Sequence, residues 1–144
     1  MSEEIIGRIS GLQRSDSKIF NLIFTNNRMV AEFVGGTGGA FFAFGVVGAA
    51  VAESHLKKKA SQMEENKTPE EILSEHKKSF EINYLDIEKV TVSKGVLGSS
   101  ILIELNQKIP KIGKNIVFSF SKKRMEEIEP VIIKVFSIKA VINK

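Results

Sequence analysis

Few residues of this 144-residue chain have the type and spacing to do chemistry, and each group fails a specific requirement. Gly35-Gly36-Thr37-Gly38-Gly39 follows a strand-like segment and precedes an apolar one. A glycine loop in that setting can turn its backbone N–H groups towards a pyrophosphate. The fingerprint then breaks: after Gly36 and Gly38 the third glycine position is Phe41, no second parallel strand follows, and a lysine run stands about twenty residues on where an acid belongs. No Gly-Lys-Ser/Thr exists for a P-loop. His55 and His76, the only histidines, lack Asp or Glu at ligand spacing, which argues against zinc. Glutamates fall in runs such as Glu64-Glu65 and Glu126-Glu127, the pattern of solvated helix faces, and no Ser/His/Asp order stands out. With no cysteine, thiolate chemistry and disulfides are excluded. The expectation is a non-catalytic protein without cofactor or metal.

What the sequence does offer is surface. Residues 33–52 carry no charge and consist of Gly, Ala, Phe, Val and one Thr. Four glycines at its front disfavour a helix there, each by roughly 1 kcal/mol against Ala, so 33–39 reads as strand end and loop with a helix from residue 40. As far as residue 52 that helix measures about 20 Å, short of the roughly 30 Å hydrocarbon core of a bilayer. It can span only if the glycine loop joins it. Beyond it Leu56, Ala60 and Met63 recur on one helical stripe, so a single helix over 40–66 is apolar all round in its first half and amphipathic in its second. Gly45, Gly48 and Ala52 line one side, where another backbone could approach closely. Phe41, Phe42, Phe44, Gly45, Val47, Gly48 and Ala52 are therefore the expected interface, either with a second copy or another protein or with a membrane. In the membrane case Lys57, Lys58 and Lys59 would meet the headgroups. A second basic group, Lys108, Lys111, Lys114, Lys122, Lys123 and Arg124, is expected to gather near one end of the sheet and face an anionic surface. Without interleaved aromatics it is a poor nucleic-acid site.

The elements that must position these surfaces follow from periodicity. A net charge of +4 and 42% hydrophobic residues fit one domain with a core. Acidic Glu3 and Glu4, with no apolar run behind them, argue against a signal peptide, so the expected location is cytoplasmic, with membrane association as the alternative. Strands are predicted over 4–12, 18–25, 28–34, 79–84, 87–93, 100–106 and 115–121. Asn26-Asn27 is read as a two-residue hairpin turn, since Asn tolerates positive φ. Thr68, Pro69 and Glu71 make a capping-box start for a short helix over 69–77. Met125, Ile128, Ile132, Val135 and Phe136 predict an amphipathic helix over 122–139, capped by Ser121 and kinked or restarted near Glu129 because of Pro130. The fold class is α+β: seven antiparallel strands, a C-terminal helix, and a helical insertion over 35–78 after the third strand.

Two segments then carry a resemblance. Leu22-Ile23-Phe24-Thr25-Asn26-Asn27-Arg28-Met29-Val30 and Ile82-Asn83-Tyr84-Leu85-Asp86-Ile87-Glu88-Lys89-Val90 resemble the strand-turn-strand signatures of bacterial and archaeal pleckstrin-homology-like (PH-like) and GRAM-like domains. The resemblance covers the chain apart from about 35–78, and the glycine-rich insertion is similar to that of archaeal PH-like proteins. It implies a bent, partly open antiparallel barrel plugged at one end by the terminal helix. It also implies a lipid- or protein-binding module and not an enzyme. The basic loop that holds phosphoinositides in the eukaryotic group is not matched, because Gln13-Arg14-Ser15-Asp16-Ser17-Lys18 offers two cations with an acid between them.

Overall fold

Strand β2 (Lys18–Thr25) is buried from Ile19 to its end, on both of its faces, and the rest of the fold is arranged to cover it. The computed structural model describes residues 3–36, 68–75, 77–95 and 98–143. Around β2 are β1 (Ile5–Arg14) and β3 (Arg28–Gly36), then helix α1 (Pro69–Glu75) and β4 (Phe80–Asn83). A three-residue 3-10 turn, Tyr84–Asp86, leads into β5 (Ile87–Lys94), β6 (Ser99–Ile109) and β7 (Gly113–Phe120). Helix α2 (Met125–Phe136) and β8 (Ala140–Asn143) complete the described chain.

Among the described residues the eight strands form one sheet in the order β4-β3-β2-β1-β7-β6-β5-β8. The connection between β4 and β5 dictates its shape. Six pairings separate these strands, which in a flat sheet would place them about 29 Å apart at the usual spacing near 4.8 Å. Yet the chain passes from Asn83 to Ile87 in four steps, which reach at most about 15 Å. The sheet must curl on itself, and its concave side becomes the core. There Leu22, Phe24, Ile101, Ile103, Leu105 and Phe118 meet, with Ile128, Ile132 and Phe136 of α2 closing over them. The β6 alternation holds: Ile101, Ile103 and Leu105 are buried and Leu102 and Glu104 only partly so. On the convex side Ile23 and Val30 are covered by Ile72 and Leu73 of α1. That helix begins as its sequence predicts, with Thr68 Oγ1 accepting from the Glu71 N–H at 3.2 Å.

Four expectations need correction. The strand count is eight, not seven, because the terminal helix ends at Phe136 and Ser137, with φ 52° and ψ −116°, redirects the chain through a 3-10 turn into β8. β8 pairs parallel with β5, and since β7 runs the same way, α2 is the crossover that parallel strands require. Pro130 neither breaks nor restarts α2: it is exposed, as is Glu126, whose carbonyl loses its partner on the side facing water. The irregular start lies earlier, in the 3-10 turn Lys122–Arg124, and the Ser121 side chain does not cap it. Finally, the hairpin at Asn26-Asn27 is present, but positive φ among the described non-glycine residues occurs only at Ser17, Lys111 and Ser137. The Thr25 hydroxyl closes the turn instead, accepting from the N–H groups of Asn27 (3.1 Å) and Arg28 (3.0 Å).

Candidate functional site

The expected interface residues Phe41, Phe42, Phe44, Gly45, Val47, Gly48 and Ala52, together with Lys57, Lys58, Lys59, His55 and His76, lie outside the described residues. The second basic group lies within them and is taken apart by the fold. Lys108, Lys111 and Lys114 are exposed on the β6–β7 hairpin, whereas Lys122 and Lys123 are exposed past the far end of β7, a strand of eight residues and thus about 26 Å long. The six residues therefore do not share one end of the sheet. Arg124 is not a surface cation at all. It is 7% exposed, and its guanidinium donates to the carbonyls of Gly11 (3.0 Å) and Ser10 and to Glu127 (2.5 Å). These carbonyls are presented by an irregularity in β1 between Ile9 and Leu12, where Gly11 takes φ 64°. Arg124 thus locks the start of α2 to β1. A signal existed in the sequence: Arg124, Ile128 and Ile132 recur every four residues and so share the buried face.

The two segments that carried the resemblance meet at a polar cluster. Arg28 donates to both oxygens of Glu3 (3.0 and 2.9 Å), to Glu70 of α1 (2.9 Å) and to Glu81 of β4. Thr25 Oγ1 donates to Glu3 at 2.6 Å, and the Tyr84 hydroxyl donates to the Thr25 carbonyl at 2.6 Å. One arginine thereby ties the residues before β1 to β3, β4 and α1. The hydrogen bonds from Arg28 hold the Glu3 carboxyl below its usual range. Burial, reinforced by the nearby negative charge of Glu3, pushes the half-buried Tyr84 phenol well above its ordinary 10.0. These motif residues form a structural knot. The strand-turn-strand corner expected at 82–90 is present, as a 3-10 turn whose first residue is Tyr84.

Tyr84 is the only tyrosine, and there is no tryptophan, so its phenol can be titrated by absorbance without interference. A raised folded-state value means the fold favours the protonated phenol, so this contribution is complete below about pH 10 and is lost as pH rises beyond it. Phenolate absorbance in the folded protein should lag behind a denatured control and rise together with loss of the circular dichroism signal. A phenol that titrates near 10 in the intact fold would mean the hydroxyl is not held as described.

At the β1–β2 turn a third grouping forms. The Arg14 guanidinium lies over Phe20 (4.7 Å) and Phe80 (5.6 Å), and Lys78 stands over Phe33 (5.0 Å). Asp16 accepts from Arg14 Nε (2.8 Å) and Nη2 (2.7 Å) and from Lys18 Nζ (2.9 Å), and these bonds hold its carboxyl far below the ordinary range. Both cations of this turn are thus engaged by its own acid, which leaves little free charge for an anionic ligand.

Among the described residues no group of three or more His, Cys, Asp or Glu could hold a metal, and no helix is long and apolar enough to cross a membrane. The sequence matches no family model and no curated protein.

Proposed function

We propose that the chain is a non-catalytic PH-like (GRAM-like) interaction or scaffold module that self-associates through its apolar glycine-rich segment. A curled sheet, antiparallel but for its last strand and closed by a C-terminal helix, with the two signature segments meeting at its corner, supports the PH-like reading. One observation carries the self-association: residues 33–52 hold twenty positions without a charge, inserted into a sheet whose concave side is already filled by its own strands and α2. Leaving several Phe and Val of such a run in water would forfeit roughly 1.5 to 3 kcal/mol each. The small residues Gly45, Gly48 and Ala52 suit contact with a second copy.

Sedimentation in detergent-free buffer tests this. The wild type should form a discrete oligomer, Gly48→Leu should shift it to monomer or aggregate, and Lys58→Ala should leave assembly alone. A monomeric wild type with Gly48→Leu unchanged would mean that the segment is covered within its own chain.

A further inference from the structure

The two most exposed large apolar side chains among the described residues stand at one corner. Leu85 is 80% exposed and Ile138 96%. Each sits on a three-residue 3-10 turn, Tyr84–Asp86 and Ser137–Lys139. Lys139 joins the turns by donating Nζ to the carbonyls of Tyr84 (3.2 Å) and Ile87 (2.9 Å). Beneath them the rings of Tyr84 and Phe136 pack edge to face at 5.8 Å, so the corner has a rigid base. Isolated apolar side chains on a surface are ordinary. A Leu and an Ile held out on two tied turns, positions that usually take polar residues, do nothing for the fold at this exposure.

The corner is also fixed to a basic hairpin. Asn106 Nδ2 donates to the Leu85 carbonyl (2.8 Å) and Gln107 to Asp86 (3.3 Å), and from the same β6–β7 hairpin Lys108, Lys111 and Lys114 reach into solvent. Asp86 and Glu88 are the acids next to Leu85, and Asp86 is engaged by Gln107.

We propose that this corner docks on an anionic lipid surface, with Leu85 and Ile138 entering the interface and the hairpin lysines meeting the headgroups. A second copy of the chain is a poorer occupant. Two protruding side chains fall far short of the roughly 800 Å² per partner that a stable protein interface buries. A lipid interface needs no complementary partner, and each apolar side chain and each nearby cation contributes on its own. The proposal does not rest on self-association through 33–52.

Co-sedimentation of the full chain with phosphatidylcholine vesicles, with and without phosphatidylserine, is the test. The wild type should pellet with the phosphatidylserine vesicles. Leu85→Ser with Ile138→Ser should weaken binding roughly a hundredfold, about tenfold for each side chain. Lys108→Gln, Lys111→Gln and Lys114→Gln together should weaken it several-fold per lysine and flatten its salt dependence. All five positions are exposed, so unfolding midpoints should stay at the wild-type value. A companion variant, Phe41→Ser with Phe42→Ser and Phe44→Ser, separates this corner from the glycine-rich segment and should retain binding. The proposal is overturned if the wild type pellets with neither vesicle, if Leu85→Ser/Ile138→Ser binds as the wild type does, or if only the phenylalanine variant loses binding. Dispersal of a lipid-free oligomer by the Leu85/Ile138 pair would overturn it in favour of a second copy.

Discussion

Phe24→Ala should cost the fold about 3–5 kcal/mol, a large part of the 5–15 kcal/mol that holds an ordinary domain together. Phe24 is fully buried where β2 meets α2, its ring edge-on to Phe136 at 5.7 Å. Phe136 in turn packs on Tyr84, so the missing ring would be felt at the β4–β5 corner too. The size of the loss depends on whether α2 can settle into the gap. It cannot settle far: a Cβ placed at Gly7 of β1 would already lie 3.0 Å from Val131 of α2, so helix and strand are in direct contact. The upper half of the range is expected. Denaturant titration reads the effect, and a loss below about 1 kcal/mol would mean that α2 is not held on the sheet by this contact.

Asn21→Ala should cost about 2–5 kcal/mol for a different reason. Asn21 is fully buried, accepts from the Gly11 N–H at 2.9 Å and donates to Glu32, itself buried, at 2.9 Å. Truncation strands a backbone donor at the β1 irregularity, and a buried donor left unmatched costs about 1–3 kcal/mol; it also withdraws a hydrogen bond from the buried Glu32 carboxyl and leaves a gap where the amide stood. Asn21→Leu is the informative control, since it restores most of the volume and none of the hydrogen bonds. It should be nearly as damaging as Asn21→Ala. Near-native stability of Asn21→Leu in the same titration would show that the site needs bulk and not polarity.

How far the sequence could be read depended on whether the deciding interaction was local. Ile101, Ile103 and Leu105 alternate within one strand, and Thr68 and Pro69 announce a helix whose first residue is Pro69, so both were legible. β8 was not. Ala140-Val141-Ile142 continues an apolar pattern that also suits a helix, and the residue that ends α2 is Ser137, which carries no glycine or proline signature. The grouping of the basic residues was not legible, because β7 sets how far apart its two ends lie and Lys108, Lys111 and Lys114 stand at one of them, Lys122 and Lys123 at the other. Arg124 looks like its neighbours Lys122 and Lys123 in a list of charges, and only helix register separates them. Glu3 and Arg28 are 25 positions apart, so nothing in either segment announced the knot. Leu85 was read only as part of a turn, and its exposure became evident when the rest of the core was seen to close without it.

The pairing order of the sheet also bears on how the chain reaches this state. The β2–β3 hairpin and the β5-β6-β7 meander join residues close in sequence and can form early. The strands of the two halves are paired only through β1 and β7, at Gln13 with Ser119 and Arg14 with Phe118, and Arg124 reaches Gly11 across 113 positions beside that seam. Every such contact closes a long loop before it gains anything, with residues 37–67 carried inside it as extra length that adds little to the entropy of closure. Until that seam forms, the edges of β1 and β7 are both without partners, which makes the half-assembled chain a template for strand exchange with another copy.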